Sequence, residues 1–260
     1  VLRVEVDNVT LPDQPIAYVY SDVDGHYNLT LGTEIFDVNV ENGVGTYQFS
    51  GLDVGKYIVI VSRIDDPVYK TTFNTTEFEV NKYLNTLTIS TETPNPTYGE
   101  DVTITHTFDP TGPTGNIIYY VDGSATGTEL DVGQNFTLSG LGAGEHYVIA
   151  KYGGDGKYGE STSNNLTITV AKASLNIAVA DVTVNYPDKG TIKVNATVDG
   201  KYTIRVKDTD YEVTITDGEG SFEVDEVLAA GTYAITWNVA ETANYTGATG
   251  SANYIVLHTQ

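Results

Sequence analysis

The sequence predicts an all-β protein made of three tandem β-sandwich domains in an elongated array. Three observations carry this prediction. The composition favours strands, with 19 Tyr against one Trp, no Met and no Cys. Apolar residues recur at every second position, which is the period of a half-buried strand. One pattern of Leu, Gly and aromatic residues returns three times along the chain.

The repeated pattern gives the domain organisation. In each copy a Leu is followed by Gly, then by an aromatic ring or His, and finally by Tyr, always at the same spacing. The copies are Leu52-Gly55-Tyr57-Tyr69, Leu141-Gly144-His146-Tyr158 and Leu228-Gly231-Tyr233-Tyr245. They lie about 88 residues apart, which is too long for a solenoid repeat and close to one sandwich domain. We therefore place the domains at residues 1–83, 84–171 and 172–260.

The junctions between these domains are short. Residues 79–84 and 169–174 contain neither Gly nor Pro and no low-complexity tract, unlike flexible linkers. We therefore expect the last strand of one domain to run almost directly into the first strand of the next. Such connections restrict bending, so the expected shape is a semi-rigid rod.

Strands are predicted from alternation within each copy. Tyr202, Ile204 and Val206 alternate with polar residues, and the alternation resumes over Tyr211–Ile215 after a polar turn. This pattern predicts a hairpin with one buried face. Further strands are predicted at Val1–Val6, Val102–Phe108, Ile117–Val121 and Leu166–Val170. A single helical turn is predicted at Val224–Ala230, just before Gly231.

Charge and residue content exclude several functions. The chain has 35 acidic and 13 basic residues and a net charge of −22, which opposes binding to nucleic acid or anionic lipid. No run of 18 apolar residues occurs, so we expect no membrane insertion. Without Cys there are no disulfides and no thiol chemistry. Because Met is absent as well, we expect the chain to be an excised or processed part of a longer protein.

No catalytic motif is visible. The four His residues are scattered without metal-ligand spacing, and neither a nucleophile elbow nor a phosphate-binding Gly-rich loop occurs. Paired carboxylates are common, but a glycosidase pair also needs a cleft. We therefore expect a non-enzyme, a monomer, with no cofactor other than a calcium ion considered below.

The second copy carries a resemblance to a known family. The segments Pro113–Gly123 and Leu141–Tyr152, followed by Asp155 and Tyr158, resemble the bacterial immunoglobulin-like (Ig-like) domains. These domains are strung in tandem in prokaryotic surface proteins, including the adhesin-like proteins of methanogenic archaea. The resemblance implies an Ig-like fold and an extracellular location, at the cell surface or attached to the cell wall. It implies no catalytic residue.

Ig sandwiches also explain the repeated aromatic residue. They place a Tyr at the start of the sixth strand, where its hydroxyl bonds to nearby backbone. Tyr57 and Tyr233 occupy this place and His146 occupies it in the second copy, so we interpret His146 as a hydrogen-bonding residue rather than a catalyst. Two residues later, where related domains carry a Cys, the chain has the apolar residues Val59, Val148 and Ile235.

Four carboxylates of the first copy are candidate calcium ligands: Asp22, Asp24, Asp65 and Asp66. They belong to the loops after the second and sixth predicted strands, which share one pole in an Ig-like topology. Calcium prefers several oxygen ligands from loops. The alternative is that these groups are solvated turn carboxylates, as most charge runs are.

Seven Asn-x-Ser/Thr sequons make the protein a glycoprotein candidate. They lie at Asn8, Asn28, Asn74, Asn135, Asn165, Asn195 and Asn244, roughly twice as many as chance predicts. Several also fit simple polar-apolar-polar alternation on exposed strand faces. Both interpretations place these residues at the surface.

Together these features predict a non-catalytic stalk or adhesion segment at the cell surface. Its expected partners are glycans or proteins of a host or of neighbouring cells. One alternative is a carbohydrate-binding accessory segment of a secreted enzyme, and another is a pure structural spacer. Two features are candidate binding surfaces: the outward ring of the pair Tyr119-Tyr120, and a basic stripe formed by Lys193, Lys201, Arg205 and Lys207.

Overall fold

The computed structural model describes residues 1–63 and 72–258. Within these ranges the chain forms 24 β-strands and no helix, which confirms the all-β class. Val224–Ala230 has no helical turn, so that prediction was wrong. The strand segments predicted from alternation are confirmed, except that the strand predicted at Val1–Val6 begins at Leu2.

The first third of the chain forms two sheets. Its strands are β1 (Leu2–Val6), β2 (Val9–Thr10), β3 (Ile16–Ser21), β4 (Gly25–Leu31), β5 (Glu34–Val40), β6 (Val44–Gln48), β7 (Gly55–Arg63) and β8 (Phe73–Asn81). The smaller sheet has the order β1-β3-β6 and the larger has the order β2-β8-β7-β4-β5. Neighbouring strands are antiparallel except for β2 and β8, which are parallel.

The middle third contains eight further strands: β9 (Thr86–Ser90), β10 (Val102–Asp109), β11 (Asn116–Val121), β12 (Thr128–Asp131), β13 (Phe136–Leu138), β14 (Gly144–Tyr152), β15 (Ser161–Thr162) and β16 (Leu166–Val170). Strand β9 pairs with β10, and β11 lies between β12 and β14. Strand β15 pairs with the end of β14.

The last third repeats the arrangement of the first. Its strands are β17 (Ile177–Val179), β18 (Val182–Asn185), β19 (Thr191–Ala196), β20 (Gly200–Val206), β21 (Thr209–Ile215), β22 (Glu219–Glu223), β23 (Gly231–Val239) and β24 (Ala248–Leu257). The sheets have the orders β17-β19-β22 and β18-β24-β23-β20-β21. The predicted hairpin is β20–β21, whose two strands pair from Gly200–Ile215 to Val206–Thr209.

The first and last thirds each bury a core of their own. In the first, Val19, Leu29 and Val59 are fully buried, and in the last, Ile192 and Ile235 are fully buried. Each belongs to an alternating strand, so every second side chain enters the core. Burying one such side chain contributes about 1.5–3 kcal/mol. These cores sit between a three-stranded and a five-stranded sheet, which is the Ig-like sandwich architecture.

The fold divides into two compact units. One comprises Val1–Ser90, Thr105–Phe136 and Val148–Leu166, and the other comprises Thr91–Ile104, Thr137–Tyr147 and Thr167–Gln260. The first unit contains the whole first sandwich and the second contains the whole last sandwich. In the part of the chain that the structure describes, no helix is long and apolar enough to span a membrane.

Candidate functional site

At the start of several strands, a Tyr or His side chain donates a hydrogen bond to the backbone carbonyl four residues earlier. We call this arrangement a corner. The hydroxyl of Tyr57 donates to the carbonyl of Asp53 at 2.7 Å, and that of Tyr233 donates to the carbonyl of Ala229 at 2.9 Å. His146 Nε2 lies 2.8 Å from the carbonyl oxygen of Gly142 and, since a carbonyl only accepts, it donates. The prediction that His146 is a corner hydrogen-bonding residue is therefore confirmed.

Two further corners escaped the sequence analysis. Tyr27 donates to the carbonyl of Val23 at 2.7 Å and Tyr202 donates to that of Val198 at 2.8 Å. Each follows a positive-φ glycine by two residues, at Gly25 and Gly200, as Tyr233 follows Gly231. The Gly-x-Tyr spacing was present in the sequence and would have identified them.

Asp24, a candidate calcium ligand, holds a hairpin turn. Its carboxylate accepts from the backbone amides of Asn42 and Gly43, both at 3.1 Å, and these residues have the positive φ values of a tight two-residue turn. The last sandwich repeats this contact, because Asp199 accepts from the amides of Asp217 and Gly218 at 2.9 Å.

The other calcium candidates lie at different places. Asp22 lies 2.8 Å from the terminal ammonium of Val1. Asp65 and Asp66 fall outside the described residues. Across residues 1–63 and 72–258, no group of three or more acidic, His or Cys side chains is arranged to hold a metal ion. The calcium site stays a prediction.

Asp155 organises the loop after β14. Its carboxylate accepts from the amide of Thr114 at 2.8 Å and the hydroxyl of Thr114 at 2.9 Å. It also accepts from the amides of Lys157 and Tyr158 at 2.8 and 2.7 Å. Burial alone would raise its pKa, but these backbone and hydroxyl donors hold the pKa of Asp155 well below its ordinary value. The group is therefore ionised and fully engaged at neutral pH.

His106 is half-buried and forms a hydrogen bond with the buried Tyr119. Its Nδ1 lies 2.9 Å from the hydroxyl of Tyr119. Burial lowers the pKa of His106 below its ordinary value and raises the pKa of Tyr119 to about 12. Both groups are thus uncharged at neutral pH, as a buried hydrogen-bonded pair requires.

Parallel pairing closes the sandwiches. Strand β2 pairs with β8 through Val9–Val80 and Thr10–Asn81. Strand β18 pairs with β24 over four residue pairs, from Val182–Tyr254 to Asn185–Leu257. In the middle third, Thr97 forms a parallel bridge with Ala171. In the first and last repeats an early strand is thereby joined to the last strand, whereas in the middle repeat the contact is a single bridge just after β16.

The sequon residues differ in exposure. Asn135, Asn165 and Asn195 are exposed, and they are the best placed to carry a glycan. Asn8 is exposed, but its side-chain oxygen accepts from the amide of Glu79 at 2.7 Å. The remaining three are half-buried, and two of them accept backbone hydrogen bonds; these are Asn28, Asn74 and Asn244.

The predicted binding surfaces are partly occupied. Tyr119 is buried and Tyr120 points outward, but the Lys151 nitrogen lies 5.4 Å from the centroid of the Tyr120 ring. The basic stripe is not one surface, because Lys193 is on β19, whereas Lys201 and Arg205 are on β20 in the opposite sheet and Lys207 directly follows β20. Within it, Lys201 pairs with Glu212 and Arg205 with Asp210, each at 3.1 Å.

Comparison with known families gives one sequence match. Residues 87–171 match the sequence model of the family described as Bacterial Ig-like domain (group 3). The match lies within the predicted second domain, the segment whose resemblance to bacterial Ig-like domains rested on its corner and turn residues. No curated protein matches the chain.

Solved structures with a similar fold are distant in sequence. The titin I-band fragment I67–I69 is 9% identical, with a TM-score of 0.35, covering 100% of this chain and 98% of that one. The titin I9–I11 tandem is 11% identical, with a TM-score of 0.32 and coverages of 99% and 100%. The Bacteroides ovatus protein SGBP-B, in complex with a mixed-linkage heptasaccharide, is 11% identical, with a TM-score of 0.24 and coverages of 97% and 66%.

Proposed function

We propose that the chain is a non-catalytic, load-bearing segment of an extracellular surface protein, which extends or presents a binding region to other cells or surfaces. The observation that carries the proposal is the parallel pairing of an early strand with the last strand in the first and last repeats, together with a parallel bridge at the corresponding place in the middle repeat. The match of residues 87–171 to bacterial Ig-like domains supports an extracellular setting.

Parallel closure has a mechanical consequence. Tension on the two ends of a repeat pulls the early strand toward its N-terminal side and the last strand toward its C-terminal side. When these strands are parallel, the pull displaces them in opposite directions along their axes. The evenly spaced hydrogen bonds between them are then loaded together in shear, rather than one after another. We call such a parallel pair a clamp. Among the described strands, the longest clamp is that of β18 and β24, with four residue pairs.

The polar side chains support a structural role. Asp24, Asp155 and Asp199 accept backbone hydrogen bonds that fix loops. His146 and the corner tyrosines donate to backbone carbonyls. Residue types that enzymes use for acid–base chemistry are therefore engaged in holding turns and loops.

Single-molecule force spectroscopy of the full chain tests the proposal through Val184→Pro. The amide of Tyr186 donates to Leu257 at 2.9 Å across the clamp, and amides alternate in direction along a strand. The amide of Val184 therefore also points to β24, and proline removes it. We expect three unfolding events in the wild type, each releasing roughly 300 Å of chain, and a lower force for one of them in Val184→Pro.

Thr183→Pro is the matched control, because on this edge strand the amide of Thr183 points away from β24. Val184→Ala controls for the lost side chain. Equal unfolding forces in Val184→Pro and Thr183→Pro would exclude the clamp as the load-bearing element. Wild-type events at forces indistinguishable from an unfolded chain would reject a mechanical function altogether.

The other expectations belong to the same proposal. An adhesion role at the cell surface or wall, of the kind found in archaeal adhesin-like proteins, is compatible with the exposed sequons. Intact mass of the natively produced protein tests glycosylation at Asn135, Asn165 and Asn195. The pure spacer differs from the adhesion segment only in lacking a ligand.

A further inference from the structure

The first sandwich carries an exposed aromatic face that the load-bearing role does not use. We propose that it docks a basic segment, containing Arg or Lys side chains, of a partner protein. The tyrosine face is the outer side of β3, with Ile16, Tyr18 and Tyr20, together with the neighbouring carboxylates Asp7 and Asp13. The proposal stands apart from the load-bearing role, since it rests on different residues.

The register of β3 produces this face. Ala17 and Val19 are fully buried, so the residues that alternate with them, Ile16, Tyr18 and Tyr20, lie on the outer face of the strand. Ile16 is 37% exposed and Tyr18 is 38% exposed. Large apolar side chains in a row on an outer strand face are more typical of an interaction surface than of a solvated one.

Beside Tyr18 lies a surface cavity of about 530 Å³. Asp7 and Asp13 contribute to its lining, together with Ile16 and Tyr18. Among the described residues, the side chains of Asp7 and Asp13 form no hydrogen bond or ion pair, and no cation lies over the Tyr18 ring. The cavity therefore offers an aromatic ring and two uncompensated negative charges.

The same face shows how it holds a cation. The guanidinium of Arg3 lies 4.4 Å from the centroid of the Tyr20 ring, and it also pairs with Glu5 at 3.2 Å. Ring and carboxylate together are the two groups that hold a guanidinium or ammonium. Around Tyr18 the same two groups are present, but no cation from the described residues lies over this ring. The missing element is a basic side chain from another molecule.

The corresponding face of the last sandwich lacks the aromatic residues, so the proposed docking is specific to the first sandwich. Its strand β19 corresponds to β3, since each precedes a Gly-x-Tyr strand and occupies the centre of the three-stranded sheet. Its outward residues are Thr191, Lys193 and Asn195. Lys193 replaces Tyr18, so the aromatic ring that would hold a basic side chain is absent from this face. The net charge of −22 further favours encounter with a cationic partner.

The test measures binding of a fluorescent Arg/Lys-containing peptide to the full chain at low salt. The matched probe is the same peptide with Gln at the basic positions. We expect Tyr18→Ala to weaken binding by about two- to fivefold, as loss of an exposed cation–π contact predicts. Tyr18→Phe keeps the ring and should restore binding. Double replacement of Asp7 and Asp13 by Asn should weaken binding further, and about 0.5 M NaCl should suppress it.

Tyr120→Ala is the control, because it removes a half-exposed tyrosine from another repeat, and melting curves verify that each variant folds. Equal binding of the basic and Gln peptides would overturn the proposal. So would equal binding by wild type and Tyr18→Ala. A neutral oligosaccharide that binds through Tyr18 without salt dependence, while the basic peptide does not bind, would instead identify the face as a carbohydrate site.

Discussion

At the residue scale, single side chains fix the loops by bonding to backbone. Within the described part of the chain, five corners place a Tyr or His so that it donates to the carbonyl four residues earlier. The sequence predicted three of them, because a family resemblance pointed to the sixth strand. Tyr27 and Tyr202 were missed, since no such precedent drew attention to the earlier strand.

Carboxylate roles were harder to predict than the corners. Asp24 is a candidate calcium ligand in the sequence because its loop is expected to share one pole of the sandwich with the loop of Asp65 and Asp66. Its partners, Asn42 and Gly43, lie across a hairpin. Which backbone amides reach a carboxylate depends on the folded loop, and residue spacing contains no such information.

Asp155→Asn should destabilise the middle repeat in a pH-dependent way. The pKa of Asp155 is depressed in the fold, so its contribution is present above the ordinary Asp value of about 3.9 and is lost as pH falls toward the folded pKa. We expect a loss of about 1–3 kcal/mol at pH 7, with the difference between wild type and variant shrinking below about pH 4.

Denaturant unfolding between neutral and acidic pH measures this difference. Asp101→Asn is the control, since Asp101 is exposed and its side chain forms no hydrogen bond in the described structure. A difference that persists unchanged at low pH would show that the carboxylate charge is not what holds the loop.

At the element scale, alternation predicted where strands lie but not how they pair. The parallel contact of Val9 with Val80 joins residues far apart in sequence, and nothing local specifies it. At Val224–Ala230 the local sequence predicted a helical turn, but the structure has none there. Val224 and Leu228 are buried in the core of the last sandwich, and the Val224 amide donates to Gly190 at 2.9 Å. Tertiary packing therefore holds this segment in an irregular form.

Gly190→Ala should destabilise the last sandwich by about 1–3 kcal/mol through overpacking. An added Cβ would lie 2.8 Å from the Tyr254 ring and 2.9 Å from Val184. The Gly190 amide also donates to the Tyr254 hydroxyl at 2.8 Å, so neither neighbour can withdraw without disturbing the clamp strands. Chemical denaturation measures the loss.

Gly153→Ala is the matched control, because an added Cβ there meets nothing within 4 Å. Its effect on unfolding should be small. If both variants unfold at the same denaturant concentration as wild type, the close approach at Gly190 is not a constraint on the fold.

At the scale of the whole molecule, the repeat period was the most informative feature of the sequence. It indicated tandem sandwiches, because equal spacing of Leu, Gly and aromatic residues reflects equal positions in a common fold. The domain limits at 83/84 and 171/172 stay predictions. Because acidic residues outnumber basic residues, most of them have no oppositely charged partner. Their mutual repulsion lowers the free energy of unfolding.

Raising NaCl from about 10 mM to about 0.5 M should raise the melting temperature, because salt screens the repulsion among 35 acidic residues. Exposed ion pairs such as Lys201–Glu212 weaken in salt, but each contributes only about 0–1 kcal/mol. Calorimetry measures the shift, and a lower melting temperature in salt would contradict the expectation.

Calcium chloride at matched ionic strength separates screening from binding. If Asp22, Asp24, Asp65 and Asp66 bind calcium, the melting temperature rises above the value in NaCl, because a ligand of the native state stabilises it. Equal melting temperatures in the two salts would show that these carboxylates bind no calcium.

The turn that Asp24 holds also bears on how the protein ages. Asparagine followed by glycine is prone to deamidation, in which the glycine nitrogen attacks the asparagine side chain and ammonia leaves. In this turn the attacking nitrogen, that of Gly43, donates its proton to Asp24 at 3.1 Å. This hydrogen bond engages the amide that would have to approach the side-chain carbonyl carbon (Cγ) of Asn42. Asp24→Ala should accelerate ammonia loss at Asn42 during storage, measurable by peptide mass. In a protein that stays outside the cell and is not renewed by synthesis, the Asp24 contact would keep this hairpin chemically intact for longer than a turn without it.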